Sequence, residues 1–143
     1  GGISINYAAH SLDKICYLTQ SDIAWATGSC TYLQPGTDVD GSAQMLLRTS
    51  SGISASISLC GYSVVPIDET MLFFANGSLR LHTGSDLSVT CGSGYETVDT
   101  SSYPNAFEAQ WADFISGVRA GRILYCDGTY GASIVRTIEL LYH

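Results

Sequence analysis

The chain has 143 residues, 45% of them hydrophobic, which is enough for one folded domain with its own core and excludes intrinsic disorder. Six Lys and Arg against thirteen Asp and Glu give a net charge of −7, which disfavours nucleic acid and anionic lipid surfaces as partners. No apolar run reaches the roughly 18 residues of a membrane-spanning helix. Only 13% of the residues are charged, so we expect small neutral side chains or another protein chain to cover part of the surface.

The first residues and the cysteines bear on the extent of the polypeptide and on its cellular compartment. The chain starts without Met and without the basic and apolar segments of a signal peptide, so we expect it to be part of a longer polypeptide. Its five cysteines form no CxxC pair, a pattern that suits neither a zinc site nor a disulfide framework. We expect four of the five to be small buried residues with free thiols, and a reducing cytoplasm as the location. The cysteines are Cys16, Cys30, Cys60, Cys91 and Cys126.

The predicted elements begin with a helix from Tyr7 to Leu18, because Ala8, Leu12 and Ile15 recur at helical spacing. From about residue 22 to residue 102 the pattern changes to short runs separated by turn signals, which is typical of an antiparallel meander. The candidate strands are 23–33, 43–49, 53–59, 70–75, 78–82, 86–91 and 95–98.

The third of these strands shows the clearest pattern, because apolar residues alternate strictly with Ser from Ile53 to Leu59. One face is then buried, and the other is flat and lined with small side chains that tolerate the close approach of another sheet. Gly52 before this strand and Asn76-Gly77 between two later strands predict tight hairpins. Four large aromatic residues are predicted to lie in the core: Trp25, Phe73, Phe74 and Trp111.

Two helices follow the meander. Apolar residues from Phe107 to Val118 recur at helical spacing, and Gly121 stands at the position of a C-terminal cap. Asp127 is the predicted N-cap of a last helix that reaches Tyr142. Strands followed by helices predict an α+β fold, with a mostly antiparallel open sheet, helices packed on one face, and the other face available for oligomerisation.

Three residues at the start of the chain form the candidate catalytic group. Asn6, His10 and Asp13 are spaced i, i+4 and i+7, which places them along one side of the first helix. A histidine beside a carboxylate can move a proton at physiological pH. A structural interpretation remains open for each: a satisfied, partly buried His10, an N-cap Asn6 and a solvated Asp13. The other histidines are His82 at a strand end and the terminal His143.

The segment from Gly1 to Asp13 resembles the motif that opens the C-terminal domain of the glucose-fructose oxidoreductase / inositol dehydrogenase / MocA (Gfo/Idh/MocA) family. In that family the motif has a glycine pair, an Asp four residues before a His, and an Asp three residues after it. Later segments agree with the family in order: the strand pair around Ser51-Gly52, the hairpin Asn76-Gly77-Ser78-Leu79, the helix 107–121 and the closing helix 127–142. The resemblance covers essentially the whole chain.

The resemblance implies that residues 1–143 are a single C-terminal domain for substrate binding and oligomerisation, and that an N-terminal Rossmann domain, absent from this chain, binds NAD or NADP. The full-length protein is then an oxidoreductase acting on a sugar, a polyol or a related hydroxyl or carbonyl compound, and a homo-oligomer, expected to be a dimer, formed through the sheet face. By itself the chain is expected to bind no nicotinamide cofactor and no metal, and to be inactive. In agreement, Gly92-Ser93-Gly94 separates two strands and is followed by Thr97, which is not a dinucleotide fingerprint.

The motif also assigns roles to single residues. By the resemblance, His10 transfers a proton at the hydroxyl or carbonyl group of the substrate. Asn6 stands where the family has Asp, and its amide can bind a sugar hydroxyl but carries neither charge nor proton. Asp13, one helical turn after His10, is expected to provide part of the missing negative charge. The candidate substrate-binding residues are Asn6, Asp13 and Tyr7.

Two alternatives stay open. The first is a non-catalytic sugar-binding or scaffold protein that retains the fold, which is favoured by Asn6 and by the sparse charge. The second is a secreted, free-standing sugar-binding module, which native disulfides would support. Turnover on a panel of polyols distinguishes an enzyme from a scaffold.

Overall fold

The structure, a computed structural model, describes residues 2–32 and 36–142, apart from the side chain of Cys91. The predictions on Gly1, on the strand end and loop at 33–35, on the thiol of Cys91 and on His143 lie outside the described residues.

The chain order of elements follows the predicted order of helix, meander and two helices. The elements are a π-helical turn Ser4–Ala8, α1 Ala9–Thr19, β1 Ile23–Tyr32, β2 Asp40–Thr49, β3 Ser54–Cys60, β4 Glu69–Phe74, β5 Gly77–His82, β6 Asp86–Cys91, β7 Gly94–Thr97, α2 Ala106–Ala120, α3 Gly128–Glu139 and a 3₁₀ turn Leu140–Tyr142. All strand pairs are antiparallel within the described ranges, so the predicted α+β class is confirmed.

The meander divides into two sheets in the part of the chain that the structure describes. One has the order β1-β2-β3 and the other the order β4-β5-β6-β7. The break falls between Cys60 and Glu69, where Pro66 has no N–H to offer to a strand ladder. The chain correspondingly forms two compact units, Gly1–Ser63 with Tyr125–His143, and Val64–Leu124.

The first unit is a three-stranded sheet with helices on one face. Along β2 the side chains alternate, so that Ala43, Met45 and Leu47 are buried, whereas Gln44 and Leu46 are exposed. The buried side chains pack against a cluster contributed by the π-helical turn, α1, β3, α3 and the 3₁₀ turn: Ala8, Leu12, Cys16, Ile57, Ile134, Ile138 and Leu141. Burial of each large aliphatic side chain stabilises the fold by roughly 1.5–3 kcal/mol. The opposite face of the sheet is open, as predicted.

The hairpin between β2 and β3 is confirmed. The N–H of Thr49 donates to the carbonyl oxygen of Ile53 at 2.9 Å, and Gly52 has a φ of 87°, which favours glycine. Leu46 of β2 pairs with Ser56 of β3, so the alternation of apolar residues with Ser places the serines on the open face.

The second unit contains the four-stranded meander and α2. Phe74 pairs with Gly77, so the predicted hairpin forms with Ala75 and Asn76 in its loop. Helix α2 begins at the N-cap Asn105, whose side-chain oxygen accepts from the N–H of Phe107 at 2.9 Å. It ends at Gly121, as predicted.

The prediction that four large aromatic residues lie in the core is wrong. Trp25 faces outward from β1, and the other three belong to the second unit, which the buried apolar cluster of the described residues does not reach. The exposed fractions are 53% for Trp25, 78% for Phe73, 59% for Phe74 and 63% for Trp111.

The prediction of buried thiols holds only in part. Cys16 is buried and Cys30 is half-buried, whereas Cys60 at the last position of β3 and Cys126 in the loop before α3 are exposed. None of these four side chains forms a disulfide.

A buried carboxylate joins the two ends of the described chain to the sheet. Asp40, at the start of β2, is only 1% exposed. Its Oδ2 accepts from the backbone N–H of Ser4 at 2.8 Å and from the Ser4 hydroxyl at 2.7 Å, while its Oδ1 accepts from the hydroxyl of Tyr142 at 2.8 Å. Burial alone would raise the pKa of the Asp40 carboxyl, but the hydrogen bonds from Ser4 and Tyr142 outweigh it and lower the pKa below its ordinary value.

Residue 2, which precedes this contact, must be a glycine for a steric reason. A Cβ atom at Gly2 would overlap both the carboxylate and the backbone of Asp40. The carbonyl oxygen of Gly2 also accepts from the N–H of Asn6 at 3.3 Å, which ties Gly2 to the π-helical turn. The second glycine of the opening motif therefore lets the first turn lie directly on β2.

We predict that Asp40→Asn lowers the free energy of unfolding by about 1–3 kcal/mol, because an amide cannot accept all three hydrogen bonds and carries no charge. The loss should depend on pH. Since the pKa of Asp40 is lower in the folded chain than in the unfolded one, its contribution is fully present above the ordinary value of 3.8 and disappears as the pH falls through the folded-state value. Urea unfolding at neutral and acidic pH measures both effects.

Asp38→Asn is the matched control, because Asp38 is exposed and lies two residues away, so the variant removes the same charge without the buried contacts. Equal stability of the two variants at neutral pH would contradict a stabilising role for Asp40.

Candidate functional site

Helix α1 and the turn before it have one side against the sheet and one side open. Ser4, Ala8 and Leu12 are fully buried. Asn6, Tyr7 and His10 are exposed. The candidate residues therefore lie on the open side, and the buried stripe fixes their backbone.

The π-helical turn Ser4–Ala8 was not predicted from the sequence. A π-helix closes its hydrogen bonds from i to i+5, so one turn contains one residue more than in an α-helix, and such turns are frequent at functional sites. Asn6 and Tyr7 lie within this turn, and His10 lies in the first turn of α1. Asn6 and His10, four residues apart, are therefore about one turn apart.

Asn6 is not an N-cap, because it lies inside the turn. Its backbone N–H donates to Gly2, and its side-chain amide makes no hydrogen bond within the described residues. The amide is thus available to an external hydroxyl or carbonyl group.

His10 is exposed rather than half-buried and satisfied. Neither ring nitrogen has a hydrogen-bond partner in the part of the chain that the structure describes. The imidazole is therefore accessible to an incoming ligand, and it can donate or accept a proton there.

Asp13 is bound, not merely solvated. Its Oδ1 accepts from the hydroxyl of Tyr130, in α3, at 2.6 Å, and the bond is partly buried. This length is typical of a hydroxyl that donates to an ionised carboxylate. Helices α1 and α3 are therefore joined next to the candidate histidine.

Aromatic rings surround this bond. The ring centroid of Tyr130 lies 5.1 Å from that of Tyr125, and the ring of Tyr125 meets that of Tyr17 edge to face at 5.6 Å. Tyr17 lies two turns after His10 on the same side of α1. The open side of the helix thus continues from His10 past Asp13 to a group of three tyrosines.

The electrostatics follow from burial and from Asp13. Burial, followed by the hydrogen bond to Asp13, raises the pKa of the Tyr130 hydroxyl far above its ordinary value. Burial, followed by the charge of Asp22, also raises the pKa of the Cys16 thiol. A buried thiol that stays protonated is not a nucleophile, which agrees with a structural role for Cys16.

The described residues bring together no group of three His, Cys, Asp or Glu side chains that could hold a metal ion. Gly92 forms the turn between β6 and β7 and does not open a helix, so these residues do not fit the phosphates of a dinucleotide. Among the described helices, none has the length and apolarity needed to span a membrane.

A family comparison matches residues 1–80, which contain the π-helical turn, α1, the strands β1 to β4 and most of β5. The matching sequence family is described as the GFO/IDH/MocA C-terminal domain. No curated protein sequence matched the chain.

Solved structures share the fold over nearly the whole chain. UDP-N-acetylglucosamine 3-dehydrogenase from Acidithiobacillus ferrooxidans is 18% identical with a TM-score of 0.81, over 97% of this chain and 46% of that chain. Aldose-aldose oxidoreductase from Caulobacter crescentus, complexed with glycerol, is 21% identical with a TM-score of 0.76, over 94% and 42%. Levoglucosan dehydrogenase, in complex with NADH and levoglucosan, is 16% identical with a TM-score of 0.75, over 93% and 47%. The chain therefore spans less than half the length of these three structures.

We predict that Asp13→Asn lowers the pKa of Tyr130, because the variant removes the negative acceptor that opposes ionisation of the hydroxyl. Burial keeps the pKa above its ordinary value in the variant. Alkaline titration of the Tyr Cζ resonances in an isotope-labelled sample measures the shift.

Tyr142 is the internal control, because burial and Asp40 raise its pKa to about 12 without any contribution from Asp13. A titration of Tyr130 that is the same in both proteins would contradict the bond to Asp13.

Proposed function

Because the chain belongs to the GFO/IDH/MocA family, we propose that it is the substrate-binding and oligomerisation domain of an NAD- or NADP-dependent oxidoreductase that acts on a sugar or polyol. The proposal is supported by the family match and by three structural neighbours whose names are those of sugar oxidoreductases or dehydrogenases. In this proposal the protein is cytoplasmic, and residues 1–143 form one C-terminal domain.

The observation that carries the proposal is the open side of α1. There an amide, an imidazole and a carboxylate follow one another at Asn6, His10 and Asp13, above a buried stripe that holds the backbone in place. These groups can bind hydroxyls and exchange a proton, as the interconversion of an alcohol and a carbonyl requires.

In the proposed reaction His10 holds the proton at the reacting oxygen. During oxidation its neutral imidazole takes the proton of the substrate hydroxyl, and during reduction the imidazolium returns it. Asn6 binds a neighbouring hydroxyl, and Tyr7, which is 60% exposed, contacts the same ligand. In this proposal the nicotinamide cofactor is bound by a Rossmann domain outside this chain.

A second candidate is a non-catalytic sugar-binding or scaffold protein. Asn6 favours it, because an amide at this position cannot support an imidazolium by charge. One variant distinguishes the two candidates. If the protein is a scaffold because residue 6 is Asn and not Asp, then Asn6→Asp should produce turnover.

We also propose that the open face of the first sheet binds a second copy of the chain. Thr27, Leu46 and Ser56 lie side by side on this face, in register across β1, β2 and β3. Leu46 is 58% exposed among small polar neighbours. Such a flat face with an exposed apolar centre suits packing against another sheet.

We predict that His10→Ala lowers turnover roughly 100- to 10,000-fold in the natural polypeptide that carries this chain, because the proton-transferring group is lost. The mass of that polypeptide is measured first, and a length about twice that of this chain is expected if a Rossmann domain of typical size is present. Oxidation of polyols and aldoses with NAD and with NADP is then followed by cofactor absorbance.

His82→Ala is the control, because it removes an imidazole from β5 in the second unit. Undiminished turnover in His10→Ala would disprove the catalytic role. An inactive natural protein that gains turnover with Asn6→Asp would favour the scaffold.

We predict that Leu46→Arg makes the protein monomeric, because a charged side chain without a partner is costly in a sheet-to-sheet interface. Sedimentation measures the mass in solution. Leu18→Arg, on the helical side of the unit, is the control and should leave the oligomer intact, since Leu18 is 43% exposed on α1. An oligomer that survives Leu46→Arg would exclude this face as the interface.

A further inference from the structure

The hydrogen bond between Tyr130 and Asp13 links residues 117 apart in sequence. Asp13 is the only acidic residue of the π-helical turn and of α1. Residues three apart on a helix have Cβ atoms about 5–6 Å apart, so the side chains of Asp13 and His10 leave the helix at neighbouring positions. The bond therefore determines where the single negative charge beside His10 lies.

Tyr130 is itself held firmly. Its backbone N–H donates to the N-cap carboxylate of Asp127 at 2.8 Å. Its ring is half-buried against the core of the first unit and packs on Tyr125. Because the backbone and the ring are both held in place, the hydroxyl oxygen has a fixed position, from which it donates to Asp13.

A purely structural link between the helices would not need a charge. The amide oxygen of an asparagine would accept the same hydrogen bond, and a half-buried carboxylate carries a desolvation cost that an amide avoids. The Asp13 carboxylate carries this desolvation cost on the same side of the helix as the uncharged Asn6. The arrangement places negative charge on the opposite side of His10 from residue 6.

We propose that Tyr130 is a positioning residue, whose hydroxyl fixes the Asp13 carboxylate beside His10 so that Asp13 supplies the negative charge that Asn6 lacks. This role rests on the proposed function, in which His10 becomes an imidazolium when it takes the proton of the substrate. One carboxylate oxygen accepts from Tyr130, and the other keeps its lone pairs, so the charge of the carboxylate is retained.

The test uses the natural polypeptide and the panel of polyols and aldoses given above. Tyr130→Phe keeps the ring and its packing but releases the carboxylate, and Asp13→Asn keeps an acceptor but removes the charge. We expect each variant to lower kcat about 10- to 100-fold, as small misplacements of catalytic groups do, with KM changed less than about twofold. The double variant should be no worse than either single variant, because Tyr130 acts only through Asp13.

Tyr17→Phe is the matched control, because Tyr17 packs on Tyr125, so the variant removes a tyrosine hydroxyl from the same group and leaves the bond between Tyr130 and Asp13 in place. Thermal unfolding of every variant is recorded, since a structural link predicts that Asp13→Asn keeps both stability and kcat. The positioning role alone is wrong in two cases, both of which require that the wild-type protein turns over a substrate. In the first, Tyr130→Phe has the same kcat as the wild type. In the second, the losses of the two single variants add up in the double variant. Absence of wild-type turnover on the whole panel overturns the proposed function and the positioning role together.

Discussion

The buried carboxylate of Asp40 is the contact on which the geometry of the first unit depends. It satisfies two donors of Ser4 and one of Tyr142 with a single side chain, in a place where an unpaired charge would be very costly. Because Ser4 starts the π-helical turn, this contact fixes both the height and the rotation of the segment that carries Asn6 and His10. The function proposed for the open side thus depends on a residue that is buried beneath it.

In the proposed function, the negative charge beside His10 comes from a later turn of the helix. In the family motif, as it is matched here, the position four residues before the histidine is acidic, whereas this chain has the neutral Asn6. The carboxylate that remains, Asp13, lies one turn later and is held from α3 by Tyr130. Under the proposal, one aspartate's two roles are divided between two residues: Asn6 binds a hydroxyl, and Asp13 supplies the negative charge.

Most of the local structure could be predicted from the sequence, because its signals are local. Periodicity predicted α1, the strict alternation with Ser predicted β3, and the caps Gly121 and Asp127 bounded the later helices. The break of the meander into two sheets and the exposure of residues such as Trp111 were not predicted, since periodicity identifies an apolar face but not what lies against it.

The candidate site was predicted only in part, for a related reason. Asn6, His10 and Asp13 share one side of a helix, which spacing alone can reveal. The partners of Asp40 and Asp13 cannot be found in this way, because Ser4 lies 36 residues, Tyr142 102 residues and Tyr130 117 residues away in sequence. A tyrosine in an amphipathic helix gives no sign of which distant carboxylate its hydroxyl will reach. The π-helical turn was missed because no propensity rule distinguishes it from an α-helical one.

The division of the chain into units has a consequence for how the protein is made. The unit that contains His10 is assembled from residues at the beginning and at the end of the described chain, and α3 supplies Ile134 and Ile138 to its core. During synthesis the ribosome releases residues 64–124 before it releases α3, so the second unit can fold first. The core of the first unit stays incomplete until α3 has been released. The residues proposed for catalysis therefore reach their final places only when the last helix has left the ribosome.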